Sequence, residues 1–230
     1  MRNFQRLIIS VLSFVGIIGF VAASGTNAQN LIGEVMDRMD KHYLALQTLQ
    51  SDVDRSIVNS QIGKAEVLQG KVVMKPGKGR NFAMRLDWAK PKVETLSVVN
   101  GSYVLFVPGI NTAYYGSSDS QKPKGGGGNA LSALSMSKAD LKANFSPVLI
   151  GQENLKDGTA TWHLQLTPKT KQDFKLADLW VDSDGMPRQA KITALNNDTD
   201  TFFLSAIKKN ERIDLSIFKV NVGNAQKIKQ

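Results

Sequence analysis

The chain has 230 residues, no cysteine and a formal net charge of +9. That length suits one well-buried domain. The missing cysteine excludes a disulfide scaffold, a thiol nucleophile, a Cys-ligated metal and anchorage through a lipidated N-terminal cysteine.

Arg2 and Arg6 open the chain, Leu7 to Ala22 is apolar, and small residues follow. This pattern reads as a secretory signal peptide over 1–28, with cleavage after Ala28 and alternatives after Ala23 or Gly25. The rival reading is a single membrane anchor, because the apolar run is near the lower length limit for a span. Removing 1–28 takes away two arginines and no acid, so the charge falls from +9 to +7. A basic surface suits anionic membranes or acidic proteins, and export argues against nucleic acid. Residues 29–230 are expected to form a single domain.

Gln29 to Leu49 predicts an amphipathic helix, with Leu31, Val35, Met39, Leu46 and Leu49 near one stripe and Met36 and Tyr43 beside it. Strands are then predicted over Asp52–Asn59, Ala65–Met74 and Phe82–Ala89, the last carrying Arg85, Leu86 and Trp88. After Pro91 come Thr95–Val99, Asn100-Gly101 and Tyr103–Val107. Asn-Gly is the preferred pair for a two-residue hairpin in which both central residues take φ > 0. Pro108-Gly109 predicts a further turn, with the positive φ at Gly109, before a strand over Ile110–Tyr115.

Gly116 to Asn129 is polar and Gly-rich, and no Gly-Lys-Ser/Thr follows it, so it predicts a flexible loop and not a phosphate-binding loop. Ala130 to Asn144 predicts short helices. Leu131, Leu134 and Met136 form an apolar knot, Ser137 and Asp140 stand in capping-box spacing, and Leu141 continues the apolar face. Such a piece reads as a movable plug or as a helix filling a sheet end. Strands are predicted again over Trp162–Pro168, Leu176–Val181, Arg188–Leu195, Thr201–Ile207 and Ile213–Val222, with Asp184-Gly185 as a hairpin turn. Roughly ten or eleven strands joined by tight turns imply one antiparallel sheet in consecutive order, and so long a sheet curls. The expected fold is α+β, mainly β: an open half barrel covered by the N-terminal helix and short lid helices.

His42 and His163 lie on different elements with no carboxylates at ligand spacing, so no metal or other cofactor is expected. Asp182-Ser183-Asp184-Gly185 begins like a calcium loop but lacks the closing Glu, since Thr193 stands there. No nucleophile elbow or His-Glu-x-x-His is present, and nothing in the sequence argues for catalysis.

The stretch from Arg85 to Tyr115 resembles the core of the LolA-type periplasmic outer-membrane lipoprotein carriers. The carrying residues are Arg85-Leu86-Asp87-Trp88, Pro91, Val98-Val99-Asn100-Gly101 and Tyr103 to Pro108. Trp162 to Lys169, Leu176 to Gly185 and Ile207 to Phe218 resemble later strands of that family. Phe218 to Gly223 departs from it by lacking a proline, and a Pro123–Ala130 low-complexity run sits where the family enters its lid helices.

The resemblance implies a cavity that holds the acyl chains of lipoproteins on their way from inner to outer membrane, in the periplasm of a Gram-negative-type bacterium. Cavity or lid residues would be Met36, Met39, Leu86, Trp88, Tyr103, Phe106, Leu131, Leu134, Met136 and Leu141. Either Arg80 or Arg85 would be the arginine that latches the lid through backbone carbonyls. The implied partners are an inner-membrane ABC-type releasing complex and an outer-membrane acceptor, with a monomeric carrier between them. Two other readings stay open: a lipid-binding sensor or structural module on the same fold, and a cofactor-free enzyme.

Overall fold

A computed structural model describes residues 24–77, 82–117 and 137–230, with side chains from residue 29 onward. The described residues form helix α1 (Ser24–Ala45), strands β1 (Leu49–Val58), β2 (Ala65–Lys75), β3 (Ala83–Lys90), β4 (Glu94–Val99), β5 (Ser102–Val107) and β6 (Thr112–Ser117), and helix α2 (Lys138–Asn144). Strands β7 (Phe145–Asn154), β8 (Ala160–Pro168), β9 (Phe174–Asp182), β10 (Pro187–Ala194), β11 (Thr199–Lys209) and β12 (Gln226–Lys229) follow.

All twelve strands belong to one sheet, ordered β12-β6-β5-β4-β3-β2-β1-β11-β10-β9-β8-β7. The expected consecutive meander is therefore two meanders, β1–β6 and β7–β11, welded where β1 pairs antiparallel with β11. β12 adds parallel to β6. The sheet is open, with β12 and β7 at its edges.

The sheet is also curved. β3 and β11 lie three strand steps apart, about 14 Å in a flat sheet. Yet the rings of Trp88 and Phe202 meet with centroids 6.2 Å apart. Trp88 reaches across because Gly70, its register partner on β2, has no side chain. Alternate residues of β3 (Met84, Leu86, Trp88), β8 (Leu164, Leu166), β9 (Ala177, Leu179, Val181) and β11 (Phe202, Leu204) face the hollow side.

α1 fills the hollow. Ile32, Val35, Met36 and Met39, at helical spacing, join one core cluster that reaches from Val98 on β4 to Phe145 on β7. The helix ends at Ala45, and Leu49 opens β1, so the expected continuation to Leu49 is corrected. Thr48 and Asn210 take over the backbone there: the Asn210 amide donates to the Ala45 carbonyl, and Gln47 N–H donates to the Asn210 side chain.

Local turn chemistry behaves as the residues dictate. Asn100 and Gly101 both take positive φ (49° and 80°). Gly185 takes φ 85°, and the Asp182 carboxylate accepts from the N–H groups of Asp184 and Met186. Ser137 and Asp140 form the expected capping box at the start of α2. At Pro108 the outcome differs: Pro108–Ile110 makes a 3₁₀ turn closed by Asn111 at φ 48°, so Asn111 and not Gly109 takes the left-handed position.

Two further expectations are corrected. Phe145–Asn154 is a strand that the sequence reading passed over; it is an edge strand, where Pro147 costs no ladder bond on the open side. Ile213–Val222 is not a strand: the Asp214 carboxylate accepts from Ser216 N–H and starts a 3₁₀ turn over Leu215–Phe218. This segment lies on the outer face, where Ser97 Oγ donates to the Phe218 carbonyl at 2.6 Å.

Candidate functional site

The hollow face is the candidate site. From α1 come Met36 and Met39, from β3 Leu86 and Trp88, and from α2 Leu141, all buried in the same cluster. Tyr103 packs against it from β5, and its hydroxyl lies 2.9 Å from Gln230 Oε1. Five predicted lining residues are thus brought together and a sixth borders them. The two methionines are unbranched and polarizable, suited to repacking around variable apolar chains.

The two helices over this face are tied to each other. Lys138 N–H donates to Asp40 Oδ1 at 2.7 Å, and the Lys138 ammonium pairs with Asp37. That bond holds the Asp37 carboxyl below the usual carboxylate range. Leu141 on α2 is fully buried. The two helices are therefore charge-braced at the rim of the hollow, with an apolar side chain buried beneath.

Phe106 does not join the lining. It stands directly opposite Thr95, whose hydroxyl bonds Asp87 on the outer face, whereas Leu105 pairs with the inward Leu96. The period of two along β5 decides this, and the neighbouring Leu105 takes the inner side that the sequence reading gave to Phe106.

Arg85 likewise alternates with Met84 and Leu86 and points outward. Its Nη1 donates to the Ile217 carbonyl at 2.8 Å and its Nε to Asp87 at 2.7 Å. It does latch a backbone carbonyl, but that of the C-terminal 3₁₀ turn and not of a lid helix. Arg85→Leu is expected to destabilise the fold by about 1–3 kcal/mol, since it strands a carbonyl and a carboxylate, and to leave ligand release unchanged. Denaturant unfolding checks the first and a ligand-transfer assay the second. Arg80, Leu131, Leu134 and Met136 lie outside the described residues.

One arginine that sequence reading missed does face the hollow. Arg55 on β1 is the register partner of Phe202 and sits 5.3 Å over its ring. Asp200 holds it through two 2.9 Å bonds, and both side chains are largely buried. The alternation Val53, Arg55, Ile57 carried this signal, but only once Val53 is known to face inward.

A polar cluster occupies the outer face. His163 lies between Glu153 (2.8 Å) and Asp178 (2.9 Å), and its ring stacks on Trp180 at 4.2 Å. Trp180 Nε1 donates to Glu153 at 2.7 Å; this bond, then the one from His163, holds the Glu153 carboxyl below its usual range. Both imidazole nitrogens are engaged by carboxylates, so the ring braces β7, β8 and β9 and leaves no nitrogen for a substrate or metal. Among the described residues no group of three or more His, Cys, Asp or Glu is placed to hold a metal ion.

Two open grooves of about 410 Å³ each flank the C-terminal turn, both touching Lys75 and Leu215 and neither lined by Met36, Met39, Trp88 or Leu141. The hollow face is packed against its own helices. Among the described residues no helix is long and apolar enough to cross a membrane.

Comparison with known proteins bears on this site. No curated protein matches the chain in sequence. In fold it is similar to an uncharacterized conserved protein from Thermus thermophilus, at 14% identity over 87% of this chain and 99% of that one, TM-score 0.57. It is also similar to the Pseudomonas aeruginosa MucA/MucB complex structure, at 10% identity over 82% of this chain and 60% of that one, TM-score 0.51. The family model for the outer membrane lipoprotein carrier protein LolA matches residues 46–221. With three quarters of its length matched and the open, helix-filled sheet in place, the chain belongs to the LolA family.

Proposed function

We propose that this protein carries the acyl chains of lipoproteins through the periplasm, from the inner to the outer membrane. The observation that carries the reading is the hollow apolar face: Met36, Met39, Leu86, Trp88 and Leu141 form one cluster between an open sheet and two helices. Acyl chains gain about 0.8 kcal/mol for each CH₂ removed from water. A carrier must supply that shelter and still release its load. Helix side chains that occupy the hollow compete with the ligand and so lower its net affinity. In this reading the open sheet, whose edge strands β12 and β7 do not pair with each other, lets α1 and α2 shift outward.

Loading from an inner-membrane ABC-type complex and delivery to a tighter-binding outer-membrane acceptor complete this reading. Export directed by residues 1–28 would bring the chain to that compartment. Catalysis has no part in it. The test is saturable binding of a hydrophobic fluorescent probe that a triacylated lipopeptide displaces and the same peptide without acyl chains does not. A probe that is not displaced by the lipopeptide would remove the lipoprotein reading.

A further inference from the structure

Alternate hairpin turns of an antiparallel sheet fall at the same end. The β1–β2, β3–β4, β5–β6, β8–β9 and β10–β11 turns therefore share one rim. Four of them carry a large aliphatic side chain that is mostly in water: Ile62 (76% exposed), Val93 (59%), Ile110 (61%) and Leu195 (60%). One exposed aliphatic residue needs no explanation. A series of four, one per turn, is a pattern. Adjacent tips are two strands apart, about 10 Å. The β1–β2 and β10–β11 turns are fixed to each other: Ser60 N–H and Oγ bond Asp198, and Ser60 Oγ also bonds the Asn196 carbonyl.

The charge on this rim is positive. Its turns hold Lys64, Lys92, Lys169 and Lys171 against Asp173 and Asp198. Lys169 also bonds the Lys142 carbonyl of α2. Among the described residues, the connections that leave the opposite rim hold Lys156, Arg212 and Lys219 against Asp157, Asp184, Glu211 and Asp214.

We propose that the rim docks on the surface of an anionic phospholipid bilayer. The aliphatic tips would enter the boundary between headgroups and acyl chains while the lysines meet headgroup phosphates. Charge complementarity selects this occupant. So does the spacing, because isolated tips suit a fluid interface that closes around each one, whereas a protein interface needs a contiguous packed centre. The docking is independent of cargo and would set one end of the hollow at the membrane from which a ligand comes or to which it goes.

The experiment is co-sedimentation of the exported protein with vesicles of phosphatidylcholine containing phosphatidylglycerol, and with vesicles of phosphatidylcholine alone. Wild type is expected to prefer the anionic vesicles and to lose binding at high salt. A variant with Ile62→Ser, Val93→Ser, Ile110→Ser and Leu195→Ser is expected to bind at least about tenfold more weakly, with its thermal melt and hydrophobic-probe binding unchanged because the four side chains are exposed. Lys64→Glu with Lys92→Glu is expected to remove the lipid preference. Equal vesicle binding by wild type and the four-tip variant overturns the proposal. So does a wild type that ignores both vesicles, including one that self-associates through the tips in sedimentation velocity. Probe displacement by lipopeptide reads the carrier function separately, so failure of one does not mimic failure of the other.

Discussion

Gly70→Ala is expected to destabilise the protein by about 2–4 kcal/mol. A Cβ at this position would lie 2.3 Å from the Asp87 carbonyl oxygen and 2.9 Å from the Trp88 ring. The oxygen belongs to the β3 backbone and cannot swing aside, so the β2–β3 ladder must part or shift. The ring is pinned by Phe202 on β11, so moving it disturbs the contact that spans the hollow. Denaturant unfolding reads the loss, and near-ultraviolet circular dichroism reads the altered packing of Trp88. A variant within about 0.5 kcal/mol of wild type would contradict the role assigned to this glycine.

Gly185→Ala is expected to cost at least about 2 kcal/mol, from two sources. Its φ of 85° is unfavourable for any side chain, and a Cβ would lie 2.3 Å from the Arg38 carbonyl carbon and oxygen of α1. The β9–β10 turn is where the helix rests its backbone on the sheet rim. Gly158 separates the two effects. Its φ is 81° but a Cβ there meets nothing within 4 Å. Gly158→Ala therefore should lose only about 1 kcal/mol. In Gly185→Ala, amide exchange along α1 should also quicken as the helix loosens and exposes the hollow face. Equal losses at the two glycines would contradict the contact.

What could be read from sequence was local. The Asn100-Gly101 hairpin, the Asp184-Gly185 turn and the Ser137–Asp140 capping box each need only a few adjacent residues, and each is present. So is the inward set Leu86 and Trp88, fixed by alternation along one strand. What failed was non-local. The β1–β11 pairing joins residues about as far apart as Leu49 and Lys209, and no turn residue announces it. Phe106 was misplaced because face assignment on β5 depends on its register with β4. Of the two arginines considered for the latch, Arg85 bonds the Ile217 carbonyl, a partner hidden from sequence because it lies on a segment read as a strand. Pro147 disguised β7, since proline argues against a strand unless the strand is known to be an edge. Arg55 was passed over because an isolated arginine in a strand looks like surface charge until Asp200 is brought beside it.

Two tryptophans on opposite faces allow the central claim to be tested directly. Trp88 lines the hollow, and Trp180 lies on the outer face with His163 and Phe203. The chain has three tryptophans, so two single-tryptophan proteins can be made by Phe substitution: one keeps only Trp88, the other only Trp180. Each is titrated with a lipopeptide whose acyl chains carry bromine, a short-range fluorescence quencher. Acyl chains in the hollow predict saturable quenching of Trp88 and little change at Trp180. Equal quenching of both, or quenching of Trp180 alone, would contradict it.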